Sequence, residues 1–115
     1  MFEITLPWPP KNLSPNSRIH WAKLAAAKKA YRTECFMQAR IAGVKRQEAR
    51  RAHISISFVP PDRRARDLDN CLASLKSGLD GIADALGIDD KHWTLTLAMA
   101  ETVGGMVKVT VEPME

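Results

Sequence analysis

This chain of 115 residues has few of the residue types that build the commoner enzyme sites. Its two cysteines, Cys35 and Cys71, show no metal-ligand spacing and no disulfide framework, so they are expected as small core residues in a reducing compartment. The three histidines, His20, His53 and His92, are isolated and form no HExxH or other paired pattern, which leaves zinc without ligands. Walker, GxGxxG and GxSxG sequences are absent, so nucleotide hydrolysis, dinucleotide binding and serine-hydrolase chemistry lack support. No apolar run approaches the ~20 residues needed to cross a bilayer, and no basic start leads into an apolar signal segment. The expectation is a cytoplasmic protein of one domain, residues 1–115, with one modest core and no membrane partner.

What is present is charge, unevenly placed. Residues 1–66 hold 14 Lys and Arg against 4 Asp and Glu, whereas residues 67–115 hold 3 against 9. A basic half beside an acidic half suggests a footprint for a polyanion next to a carboxylate cluster. Solvated faces that neutralise each other across the fold explain the same counts. The two halves meet in residues 62–86, DRRARDLDNCLASLKSGLDGIADAL. There Arg63, Arg64 and Arg66 run directly into Asp67-Leu68-Asp69, so cations suited to phosphate adjoin carboxylates suited to a divalent ion.

Hydrophobic patterning places these motifs. Residues 2–6 alternate as a short strand that Pro7-Trp8-Pro9-Pro10 stops, and residues 11–18 are a loop. Trp8 reads as a lid on the core or as a base-stacking platform. A long helix is expected from a Ser17 cap to about Ala42, its surface carrying Lys23, Lys28, Lys29, Arg32 and Arg40. Residues 53–59 form a second strand burying Ile54, Ile56 and Phe58, ended by Pro60-Pro61. Leu68, Leu72, Leu75, Leu79, Ile82 and Leu86 define a second, amphipathic helix that stops at Gly87. Residues 93–99 alternate as a third strand, and Gly104-Gly105 signals a hairpin back into a fourth, with Val107, Val109 and Val111 inward. The order β-α-β-α-β-β predicts an α+β fold: one mixed sheet of about four strands with two helices packed against it.

Residues two apart on a helix point about 200° away from each other, so Asp67 and Asp69 can act together only at a helix mouth. Asp67 is the expected N-cap with Asp69 in the first turn. Both positions are also ordinary sites for capping and dipole compensation, which supports a rival reading of a non-catalytic nucleic-acid-binding protein with structural aspartates. Asp69, Lys76 and Asp80 share one line of the helix, and Asp89-Asp90 returns after Gly87 with a further carboxylate. Lys76 stands seven residues from Asp69, ~10.5 Å along the axis, and either assists the chemistry or pairs with Asp80. An all-carboxylate set calls for Mg²⁺ or Mn²⁺. A looser alternative takes Asp62 with Asp89-Asp90-Lys91 as a PD-(D/E)xK nuclease pattern.

LPWPP near the start, PDRRARDLDN in the middle, LDGIADALGIDD after it and a closing β-hairpin together resemble the RusA-type Holliday junction resolvases. SPNSRIHW is similar to the phage- and prophage-borne branch of that family, and the likeness spans nearly the whole chain. It implies a homodimeric, Mg²⁺-dependent endodeoxyribonuclease of recombination and repair. Such an enzyme resolves four-way DNA junctions by paired symmetric nicks, in a bacterial or phage-infected cell. It also implies catalytic and metal-binding roles for Asp67, Asp69 and Asp90, with Lys76 as the catalytic lysine of a K-x-x-x-D pattern. In this chain Lys76 lies three residues further from Asp69 than in shorter-helix members. DNA contacts are expected from Arg63, Arg64, Arg66, Arg18, Lys23, Lys28, Lys29 and Arg32.

Overall fold

Strand β1 (Phe2–Pro7) and a one-turn 3-10 helix (Lys11–Leu13) lead into helix α1 (Trp21–Ile41). Strand β2 (Arg51–Val59), helix α2 (Leu68–Leu86), a second 3-10 turn (Asp90–His92), strand β3 (Trp93–Met99) and strand β4 (Met106–Met114) follow. The computed structural model describes all of residues 1–115. The element order is the expected one, and the fold is α+β with a mixed four-stranded sheet.

The strands alternate as a half-buried sheet must. Ile4 and Leu6 of β1, Ile54, Ile56 and Phe58 of β2, and Val107, Val109 and Val111 of β4 all point into one core. The opposite face is polar, and there His53 of β2 bridges Thr94 (2.6 Å) and Thr96 (3.0 Å) of β3. Leu75, Ile82 and Leu86 of α2 are fully buried against the core, each contributing ~1.5–3 kcal/mol of apolar burial. Gly87 then ends the helix in the left-handed region at φ 75°, where glycine lacks the Cβ penalty.

The hairpin between β3 and β4 does not form. Sheet order is β1-β4-β2-β3: β3 pairs only with β2, in parallel, while β4 lies antiparallel between β1 and β2. The reason lies in the connections. Helix α2 is the crossover that parallel neighbours require, so β2-α2-β3 is a βαβ unit. The chain after β3 then passes the end of β2, where Gly104 N–H donates to the Pro60 carbonyl (2.8 Å) and Gly105 N–H to that of Val59 (2.9 Å). The double glycine turns the chain as expected, with Gly105 at φ 82°, but hands it to the other side of β2.

Helix α1 begins three residues later than a Ser17 cap would place it. His20 is the N-cap, its Nδ1 accepting from the Ala22 N–H at 3.2 Å, while Ser17 belongs to a turn closed by its N–H on the Ser14 carbonyl. Tyr31, Cys35 and Ala39 bury the inner face of α1, and the Tyr31 hydroxyl donates to the Pro7 carbonyl at 2.6 Å. That bond fixes the end of β1 and hence the loop that walls the candidate site. Cys35 and Cys71 are buried and unpaired, and burial pushes the Cys35 thiol up to about 12. No helix is long and apolar enough to cross a membrane.

Candidate active site

Asp67 is the N-cap of α2, with extended backbone (φ −86°, ψ 134°), but its side chain makes no capping bond. Its one polar neighbour is the Asn70 amide, 3.4 Å from Oδ2. Asp69, in the first turn, is exposed and makes no hydrogen bond or ion pair. The positive end of the helix dipole favours two carboxylates here without using up their oxygens. The helix mouth therefore holds two aspartates whose acceptors are largely free.

The loop leading into α2 is built by Asp62. Its carboxylate accepts from the Arg64 backbone N–H (3.0 Å), from the Arg64 guanidinium (3.1 and 3.2 Å) and from Arg66 (2.9 Å). Arg66 also donates to the Asp62 and Arg64 carbonyls and lies 5.5 Å from the centroid of the Trp8 ring. Asp62 is thus occupied with organising arginines. Its i+2 and i+4 spacing to Arg64 and Arg66 was the signal for this clasp, one the charge pattern alone does not expose. Arg63 and Arg64 stay exposed, whereas Arg66 is mostly packed.

The Arg64 backbone N–H first, then the guanidinium of Arg64 and that of Arg66, hold the Asp62 carboxyl down to about 2. A depressed carboxyl favours the folded loop above the unfolded value of ~3.9 and loses that contribution as pH falls through about 2. The clasp is therefore expected to survive at pH 3. A carboxyl-carbon NMR titration checks this: a midpoint near 2 is expected, and one near 3.9 would mean that the clasp does not form in solution.

Between this loop and residues 8–19 lies a cleft of about 940 Å³, which Asp67 and Asn70 border from the α2 side. Its walls combine Trp8, Phe58 and Pro61 with Asn12 and Asn16, and Lys11, Arg64 and Arg66 supply cations. Trp8 meets Phe58 edge-on at 6.1 Å, so it is both a lid on the core and a wall of the cleft. The contribution of Asn12 was not visible in the sequence, because a polar loop residue carries no periodicity.

Asp90 arrives elsewhere. Its carboxylate is 2.5 Å from the Lys76 ammonium, which also holds Asp80 at 2.9 Å. The bond to Asp90 raises the lysine above its ordinary value, and the same bond holds Asp90 below the usual carboxylate range. A cavity of about 240 Å³ borders Asp90, Asp89, Asp80 and Asp84 on this side, apart from the large cleft. Asp89 caps the 3-10 turn by accepting from the Lys91 N–H at 3.0 Å. No three His, Cys, Asp or Glu side chains converge to hold a metal ion. Mg²⁺ is commonly held by one or two carboxylates, its own waters and a substrate phosphate, and the carboxylates with free oxygens at the helix mouth are Asp67 and Asp69. The expected third ligand, Asp90, is not brought to that pair: Lys76 holds it further along the helix.

Among the basic residues of the first half, Arg18, Lys23, Lys28 and Lys29 are exposed. Arg32 is engaged: its guanidinium forks onto Asp84 of α2 at 2.7 and 2.8 Å and ties the two helices together.

Fold and site together define an α+β protein with a βαβ unit, whose helix carries a carboxylate pair at its mouth beside a cation-lined cleft. No family model matches the chain. It is 42% identical over 116 residues to an uncharacterised protein of Xylella fastidiosa (strain Temecula1), covering 96% of this chain and 76% of that protein, and it belongs to the same family.

Proposed function

We propose that this protein is a metal-dependent endodeoxyribonuclease that resolves four-way DNA junctions, as its likeness to the RusA-type resolvases implies. One observation carries the reading. Asp67 occupies the capping position without capping, and Asp69 beside it has no partner, so ordinary helix capping does not account for the pair. The non-catalytic alternative rests on that capping role.

Asp67 and Asp69 would hold Mg²⁺ or Mn²⁺ at the helix mouth. When bound, the ion supplies Lewis-acid polarisation of the scissile phosphate and lowers the pKa of an attacking water. Arg64, oriented by Asp62, holds a phosphate of the same strand, and Lys11 extends the cationic rim. Lys76 keeps the Asp90 carboxylate neutralised and brings an ammonium to the exposed line of α2 that starts at Asp69. Arg18, Lys23, Lys28 and Lys29 would support the DNA arms through phosphate contacts. A junction has approximate two-fold symmetry, so a homodimer presents one site to each of two opposed strands.

A synthetic four-way junction and a linear duplex of matched sequence, each with and without Mg²⁺, test the proposal. Paired nicks in the junction alone, dependent on Mg²⁺, are expected. Binding without cleavage under every divalent-ion condition would favour the non-catalytic alternative.

A further inference from the structure

We infer that the cleft bordered by Asp67 takes up an unpaired nucleotide of the DNA strand, next to the phosphate that is cut. The inference rests on the nuclease reading for the identity of the strand, but the cleft itself is a built feature of the chain. Its volume, about 940 Å³, lies at the upper end of the ~300–1,000 Å³ range of pockets that enclose most of a small ligand. That is room for an unpaired nucleotide but not for a stretch of duplex.

The chemistry of the walls matches a nucleotide in three ways. The Arg66 guanidinium lies over the Trp8 ring, 5.5 Å from its centroid, and both line the cleft, so they form one flat π layer of the kind on which an unpaired base stacks. Lys11 and Arg64 lie at the same cleft to take the phosphates. The Asn12 amide oxygen is buried without any hydrogen-bond partner in the protein, although the residue lines the cleft. An orphaned acceptor is costly, and the last torsion of asparagine is soft, so a small rotation offers this oxygen to the edge of a base. No donor of the protein fills that role, and a nucleotide in the cleft can supply one.

Placement supplies the consequence for selectivity. Asp67 forms part of the cleft wall, so a nucleotide seated there has its backbone at this carboxylate, with Asp69 two residues further on outside the cleft lining. Duplex DNA keeps its bases stacked and cannot enter. The branch point of a junction is where the continuity of the helices is broken, so a nucleotide there is the most easily drawn out of its stack. The protein thereby recognises branching by admitting an unpaired nucleotide, with no need to read the overall shape of the four arms.

The test uses the full chain without metal. The indole N–H signals of Trp8, Trp21 and Trp93 are followed by NMR while a single-stranded tetranucleotide, then a blunt-ended linear duplex without a loop, is added. The Trp93 indole is bonded to the Ile88 carbonyl (3.1 Å) and serves as the internal reference. Expected is a saturable shift of Trp8 with the tetranucleotide and none with the duplex. Asn12→Leu should leave urea stability equal or higher, because it removes the orphaned acceptor, while weakening tetranucleotide binding between about five- and a hundredfold. A still Trp8 signal in a protein that cuts junctions would overturn the inference and spare the nuclease reading, as would equal shifts with the duplex. A shifted Trp8 in a protein that cuts no DNA would uphold the cleft and overturn the nuclease.

Discussion

Asp69→Asn is expected to lower junction cleavage at least about a thousandfold, ~4 kcal/mol of barrier, while leaving junction binding equal or slightly tighter. The substitution keeps size and shape but removes a charge and replaces a strong oxygen ligand with a weak one. Nothing in the fold depends on the carboxylate, because Asp69 is exposed and makes no hydrogen bond or ion pair. Loss of a first-turn charge costs only ~0.3–1 kcal/mol of dipole interaction. Asp67→Asn should behave alike, since the Asp67 side chain makes no capping bond that the substitution could break. Single-turnover cleavage alongside a gel-shift titration separates the two effects. Cleavage by Asp69→Asn at the wild-type rate would return both aspartates to the role of helix-terminal charges and leave a protein that binds nucleic acid without cutting it.

What the sequence discloses and what it hides follow from how each feature is encoded. Helix α2 is legible because its apolar residues recur at 4,3,4,3,4 and the helix buries one face; Asp67 and Gly87 mark its ends as composition suggests. Helix α1 is less so. It buries Tyr31, Cys35 and Ala39 on one side but leaves Trp21, Met37 and Ile41 exposed on others, so no single stripe defines its inner face. The pairing of β4 escapes notice for a different reason. A glycine pair fixes where the chain turns, whereas its choice of neighbour depends on which side of β2 is still open once β3 has docked. At the site, the carboxylates of α2 follow from helix geometry alone. The placement of Asp90 does not, because Lys76 competes for it and that outcome depends on where the Asp90–His92 turn sets the carboxylate in space. Asn12 and Asp62 act through loop geometry, which leaves no periodic trace.

The crossing of the two helices supplies the largest expected effect on stability. Gly81 of α2 sits where a Cβ would lie 2.2 Å from the Arg32 carbonyl oxygen and 2.9 Å from the Phe36 nitrogen of α1. Both are backbone atoms, so no rotamer change relieves the contact. Gly78, one turn earlier, is closed off by the Tyr31 ring at 2.7 Å, which a side chain can partly yield. Alanine is favoured over glycine inside a helix by ~1 kcal/mol, so propensity alone would make Gly81→Ala stabilising. The clash reverses that sign. Separating the helices weakens the buried contacts of Leu79 and Ile82 and pulls Arg32 away from Asp84, now at 2.7 and 2.8 Å. A net loss of about 3 kcal/mol is expected, and with it a fall in Tm of roughly 10 °C or more. Thermal and urea denaturation check it. A Gly81→Ala protein as stable as the parent would mean that α1 and α2 do not meet at this residue. Asp67 and Asp69 would then stand on a helix set differently against the cleft.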